Sequence, residues 1–64
     1  LKLFDITLLV GHAEEEARLT AEHNGLTVRI LSVNGKAGIG TRDHRLDRVN
    51  FALVDGKVVR AWKG

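Results

Sequence analysis

The chain has 64 residues, 44% of them apolar and 28% charged, with neither cysteine nor proline and a formal net charge of +2. That composition describes one small domain over residues 1–64 and excludes a disulfide framework, a thiol nucleophile and a cysteine-ligated zinc centre. The longest apolar run, Phe51 to Val54, falls far short of the roughly 20 residues of a membrane-spanning helix, so no membrane partner is expected. Because the chain opens at Leu1 rather than at a methionine, it reads as a processed or trimmed product. The basic residues are scattered. Their one concentration, Arg42, His44, Arg45 and Arg48, is interleaved with Asp43 and Asp47, a mixed segment rather than the dense basic stripe of a nucleic-acid binder.

In chain order, Phe4 to Val10 closes at Gly11, and good helix formers follow from Ala13 to His23. The acids Glu14, Glu15 and Glu16 stand in the first turn, where the positive end of the helix dipole favours them. Ala13, Ala17 and Ala21 recur every fourth residue, which predicts a small-residue stripe that can approach a sheet closely. Asn24-Gly25 is the stop signal. From Leu26 to Val33 the period changes to two, with Leu26, Val28 and Ile30 on one side and Thr27, Arg29 and Leu31 on the other: a half-buried strand. A second strand is predicted over Val49 to Val54. Asp55-Gly56 then turns the chain tightly into Val58 to Trp62, an antiparallel hairpin.

Between these strands lie the seventeen residues Ser32 to Arg48, with glycines at 35, 38 and 40. Read as a single connection without secondary structure of its own, a loop of this length in a small domain points to function.

The loop carries a resemblance. Thr41-Arg42-Asp43-His44-Arg45-Leu46-Asp47-Arg48-Val49-Asn50 is similar to the reactive-site segment of the potato inhibitor I family: Thr, a variable residue, an acid, a variable residue, Arg, a variable residue, Asp or Asn, then Arg-Val-Arg. Leu9-Val10-Gly11 followed by Glu15-Glu16-Ala17-Arg18 resembles that family's lead-in to its helix, and Val59 to Gly64 resembles its last strand. The likeness covers nearly the whole chain. It implies an α+β fold, one helix packed on a small mixed sheet, with a long exposed reactive-site loop joining two neighbouring parallel strands.

The resemblance also implies a monomeric, substrate-like inhibitor of serine endopeptidases, secreted or extracytoplasmic, needing no cofactor. By position, Gly40, Thr41, Arg42, Asp43 and His44 would form the protease-binding segment, Arg42-Asp43 the scissile bond and Arg42 the specificity side chain. Arg48 would brace the loop from the body of the domain, with Arg45 and Asn50 as its other supports. Two departures stand out. Asn50 replaces the second bracing arginine, and Gly40 replaces a valine at the end of a longer, glycine-rich arm, whose backbone freedom opposes preorganisation.

Each of these residues also has a plainer reading. Arg42 is on composition alone a solvated side chain, and Arg45, Arg48, Asp43 and Asp47 a surface ion-pair cluster. His12, His23 and His44 are too dispersed for a metal motif. Trp62 reads as packing at the rim of the core. Ser32 is the only serine and no histidine is placed beside it in sequence, so an enzyme is not expected. The competing functional readings are a non-inhibitory binding module whose basic glycine-rich loop meets an anionic partner such as nucleic acid, and an assembly domain using open sheet edges.

Overall fold

The computed structural model describes residues 4–38 and 45–64. One α-helix packs on a four-stranded mixed sheet, the α+β arrangement expected. The chain begins with a short 3-10 turn, Ile6–Leu9, where Asp5 caps by accepting hydrogen bonds from the Thr7 amide at 3.0 Å and the Thr7 hydroxyl at 2.7 Å. The helix α1, Glu14–His23, follows, and the strands are β1 (Thr27–Val33), β2 (Lys36–Ala37), β3 (Arg48–Val54) and β4 (Lys57–Lys63). Their order across the sheet is β2-β1-β3-β4. β1 and β3 run parallel, and the two outer pairs are antiparallel.

The helix buries Ala17 and Ala21 completely against the sheet, with side chains small enough to bring the two backbones close. Ala13 does not join that stripe. It is the exposed residue that caps α1 in extended conformation and bridges to Lys57 at the start of β4. Hydrogen bonds from the Gly11 amide to the Val58 oxygen at 2.7 Å, and from the Val58 amide to the His12 oxygen at 2.9 Å, tie the same segment to the outer edge of β4. The beginning of that edge is thus covered, which blunts its capacity to pair with another chain. At its far end α1 stops at Asn24-Gly25, with the Leu26 amide donating back to the Ala21 oxygen at 3.0 Å.

The core is one cluster: Leu9, Ala17, Ala21, Leu26, Val49, Phe51, Leu53 and Val58, flanked by Phe4, Ile6, Val28, Ile30 and Ala61. Leu26, Val28 and Ile30 lie on the core side as the period-two reading expects. The alternation then shifts, because the β1–β3 register slips between Ile30 and Ser32, leaving Leu31 as an extra residue. Ser32 is thereby set opposite Ala52 rather than continuing the core-facing series. β4 slips in the same stretch, with Val59 the extra residue.

The segment 32–48 is not one structureless loop. Asn34-Gly35 turns the chain straight back, so that β2 pairs with the end of β1 through Ser32–Ala37 and Val33–Lys36. Both turn residues have positive φ, 50° and 83°, as do Asp55 and Gly56 at 51° and 79°. Each pair meets the requirement of a two-residue hairpin turn for φ > 0 at both central positions, where Asn or Asp followed by Gly is favoured. The two turns are neighbours. Asn34 Oδ1 accepts from the Asp55 amide at 2.7 Å, and the Asn34 amide donates to the Leu53 oxygen at 2.8 Å. Among the described residues no helix is long and apolar enough to cross a membrane.

Candidate binding site on the polar face of the sheet

Strand alternation gives β3 two unlike faces. Val49, Phe51 and Leu53 join the core under α1, while Arg48 and Asn50 point to the other side and are nevertheless buried, at 9% and 1% exposure. The register extends this second face across the sheet. Thr27 stands opposite Arg48, Arg29 opposite Asn50, Asn50 opposite Trp62 and Ala52 opposite Arg60.

Burying a guanidinium or a carboxamide is costly unless its hydrogen bonds are made. Arg48 donates to the main-chain oxygen of Gly64 through Nη2 at 2.8 Å and through Nε at 3.3 Å. Asn50 Oδ1 accepts from Arg29 Nε at 3.0 Å. Arg60 lies over the Trp62 ring, 5.1 Å from its centroid, within the reach of a cation–π contact. Among the described residues no buried side-chain nitrogen or oxygen lacks a hydrogen-bond partner. The face is therefore a satisfied, donor-rich surface centred on two arginines and one asparagine.

The arm that joins β2 to β3 leaves and returns beside β1. At its departure the Gly38 amide donates to the Leu31 oxygen at 2.6 Å. At its return the Thr27 amide donates to the Asp47 oxygen at 2.8 Å, and Lys63 Nζ reaches the Leu46 oxygen at 3.3 Å. Arg45 grips Asp47 with two bonds of 3.2 Å, from Nε and from Nη2. Both partners are more than half exposed, so this pair shapes the returning chain locally and adds little to stability.

Of the residues expected to form the site, Arg45, Arg48 and Asn50 fall where the arm rejoins the sheet, with Arg48 and Asn50 on one buried face. Gly40, Thr41, Arg42, Asp43 and His44 lie outside the described residues. Arg29 was not among the expected residues and belongs with them. Its position on the polar side of β1 is readable from the alternation, but its partnership with Asn50 depends on the parallel register. Among the described residues no group of three or more histidine, aspartate or glutamate side chains could hold a metal ion. His12 pairs instead with Glu16, one turn along α1.

Chemically, such a surface holds acceptors in place. Guanidinium groups fixed by the Gly64 and Asn50 oxygens present charge-assisted donors of defined direction, the stronger class of hydrogen bond. No protein-family model matches the chain, and comparison with curated proteins and with solved structures found no match.

Proposed function

We propose that this protein is a substrate-like inhibitor of serine endopeptidases, offering the Arg42-Asp43 bond to the protease and Arg42 to an acidic primary pocket, as in trypsin-like enzymes or subtilisin-like enzymes with acidic pockets. The observation that carries the reading is the setting of the arm. It leads from β2 into β3, the parallel neighbour of β1, each end is hydrogen-bonded to β1, and it returns beside the buried Arg48 and the half-buried Arg29.

A serine protease attacks any peptide that fits its cleft, so an inhibitor must bind well and turn over slowly. Slow turnover follows if the new amine cannot leave after cleavage. Held beside the acyl-enzyme at very high effective molarity, it re-forms the peptide bond faster than water reaches the ester. Anchoring both ends of the arm to one sheet is what this mechanism requires. Thr41 and Asp43, on either side of Arg42 in sequence, supply oxygens that accept from guanidinium donors.

The test is incubation with trypsin, chymotrypsin and subtilisin, with every cut mapped by mass. Stoichiometric inhibition of trypsin with a slow first cut at Arg42-Asp43 is the expected result. Rapid cleavage at Arg18, Arg29 and Arg60 without inhibition overturns the reading, and affinity for an anionic polymer that falls steeply with salt replaces it with the anion-binding module.

A further inference from the structure

We propose that Asn34 is a site of spontaneous covalent modification, the asparagine that this fold leaves open to deamidation. The inference is independent of the inhibitor reading. The chain has asparagines at 24, 34 and 50, and Asn24 and Asn34 are each followed by glycine. A glycine there has no Cβ to shield its amide nitrogen, and an attacking group tethered next to its target reacts as if at very high concentration. The Gly35 nitrogen attacks Asn34 Cγ, the new C–N bond closes a five-membered succinimide, and the Cγ–Nδ2 bond breaks. The proton from the Gly35 amide leaves with Nδ2 as ammonia. Water then opens the ring. Addition at Cγ gives aspartate, and addition at the Asn34 main-chain carbonyl gives isoaspartate, in which the main chain runs through the former side chain. Water is the only co-reactant, and nothing is oxidised or reduced.

By dipeptide alone Asn24 and Asn34 are equivalent. The fold separates them. Asn24 caps α1, and its Nδ2 donates to the Thr20 oxygen at 2.8 Å, which holds the side chain back along the helix. The Gly25 amide is committed to the Glu22 oxygen at 3.0 Å. Freeing these groups unwinds the last turn of α1, where the Leu26 amide is bonded to the oxygen of the wholly buried Ala21. Asn34 and Gly35 are instead exposed at the tip of a hairpin, and no atom lies within 4 Å of the place a Cβ would take on Gly35. Asn34 Oδ1 accepts from the Asp55 amide at 2.7 Å, but among the described residues neither Asn34 Nδ2 nor the Gly35 amide has a hydrogen-bond partner. Ring closure needs rotation of the Asn34 main chain, hence a transient opening of the turn. That opening is cheap, because β2 is two exposed residues paired only at Ser32–Ala37 and Val33–Lys36, and such elements open most readily. The two products then diverge. Val54-Asp55-Gly56-Lys57 repeats Val33-Asn34-Gly35-Lys36 with an aspartate in the same left-handed conformation, so the aspartate product fits the turn. Isoaspartate lengthens the main chain by one carbon and unpairs β2 from β1.

The test is to age the chain at mildly alkaline pH, both folded and in concentrated guanidinium chloride, then denature it, digest it with trypsin and map the products by mass. The peptides Leu19 to Arg29 and Ile30 to Lys36 report the two sites separately. In the folded chain Asn34 is expected to deamidate faster than Asn24 by about tenfold or more, the factor that opening one or two further hydrogen bonds represents. In guanidinium chloride the two rates are expected to become similar. No deamidation at Asn34, comparable rates at the two sites in the folded chain, or a faster Asn24 overturns the proposal. A preference for Asn34 that is equally large in guanidinium chloride overturns it too, since the neighbours in sequence would then choose the site. The purified isoaspartate form is expected to show faster amide exchange at Lys36, Ala37 and Gly38 with α1 unchanged, whereas Asn34→Asp keeps the exchange pattern of the parent. Exchange in the isoaspartate form equal to that of the parent overturns the unpairing of β2.

Discussion

β3 has one side made by hydrophobic burial and another made by hydrogen-bond geometry, and the two are held by different physics. Val49, Phe51 and Leu53 are interchangeable in kind with any apolar set of similar volume, because what stabilises them is area removed from water and close packing under Ala17 and Ala21. Arg48 and Asn50 are equally hidden but depend on particular partners, the Gly64 oxygen and Arg29. A buried polar group tolerates no generic replacement, since each partner left behind keeps its own desolvation cost. The apolar side explains why the domain folds. The polar side borders the point where the arm rejoins the sheet, and on the proposed reading that is where function resides.

The difference breaks most visibly at Phe51, which is wholly buried at the centre of the core. Phe51→Ala is expected to cost about 3–5 kcal/mol, which matches the roughly 3–5 kcal/mol that one core supplies in a domain of this size. The variant should be largely unfolded at 25 °C by circular dichroism. Retention of a cooperative transition near that of the parent would mean that the polar face carries much more of the stability than this comparison assigns to it.

Arg48→Ala is the corresponding test on the other side. It removes two donors from the Gly64 oxygen and should lower stability by about 1.5–3 kcal/mol, the range for a hydrogen bond to a charged group. It should also raise the rate at which trypsin cuts the arm by more than it weakens initial binding. A loss of stability in denaturant titration without a change in cleavage would make Arg48 a structural residue only.

These two faces differed as much in legibility as in energetics. The core side followed from local pattern: Leu26, Val28 and Ile30, the Ala17–Ala21 spacing, and Asp55-Gly56 placing β4 antiparallel to β3 are all period or turn signals within a few residues. The polar side required register, since Arg29 and Asn50 are 21 positions apart and nothing short-range says that they meet. The residues of the expected protease-binding segment, Gly40 to His44, stay outside the described part of the chain. Asn34-Gly35 shows a third situation. It carries the same turn signal as Asp55-Gly56, yet the strand it introduces, Lys36–Ala37, has only two exposed residues and so no alternation to reveal it. Ala13 was displaced from the alanine stripe for a different reason, since the four-residue spacing continues into the cap, where the backbone is no longer helical.

The paired turns allow a finer cut, because Asn34 combines a positive φ with a hydrogen bond to the second turn. Asn34→Ala loses both the favourable left-handed residue and the acceptor for the Asp55 amide. A cost of about 1–2 kcal/mol is expected, the site being exposed enough for water to replace part of the bond. Asn34→Gly relieves the backbone and loses only the bond, so it should cost less than Asn34→Ala. Equal midpoints in urea for the two variants would show that left-handed strain contributes nothing at this turn.

The smallest effect is expected at the start of the chain, where Asp5 caps the 3-10 turn. Hydrogen bonds from the Thr7 hydroxyl, first, and the Thr7 amide, second, favour the charged carboxylate and hold its pKa below the ordinary aspartate value, against a small opposing effect of desolvation. A carboxyl whose folded-state pKa is depressed contributes stability that is fully present above the unfolded-state pKa of about 3.9 and is lost as the pH falls through the lower folded-state value. Asp5→Asn keeps an acceptor oxygen and removes the charge, so it isolates this contribution. The variant should melt slightly below the parent at neutral pH. The gap should stay constant down to about pH 5 and close at lower pH as the parent's carboxylate takes up its proton. A gap of the same size at every pH would mean that the asparagine differs from Asp5 in its capping geometry rather than its charge, and that the Thr7 hydrogen bonds do not favour the ionised form.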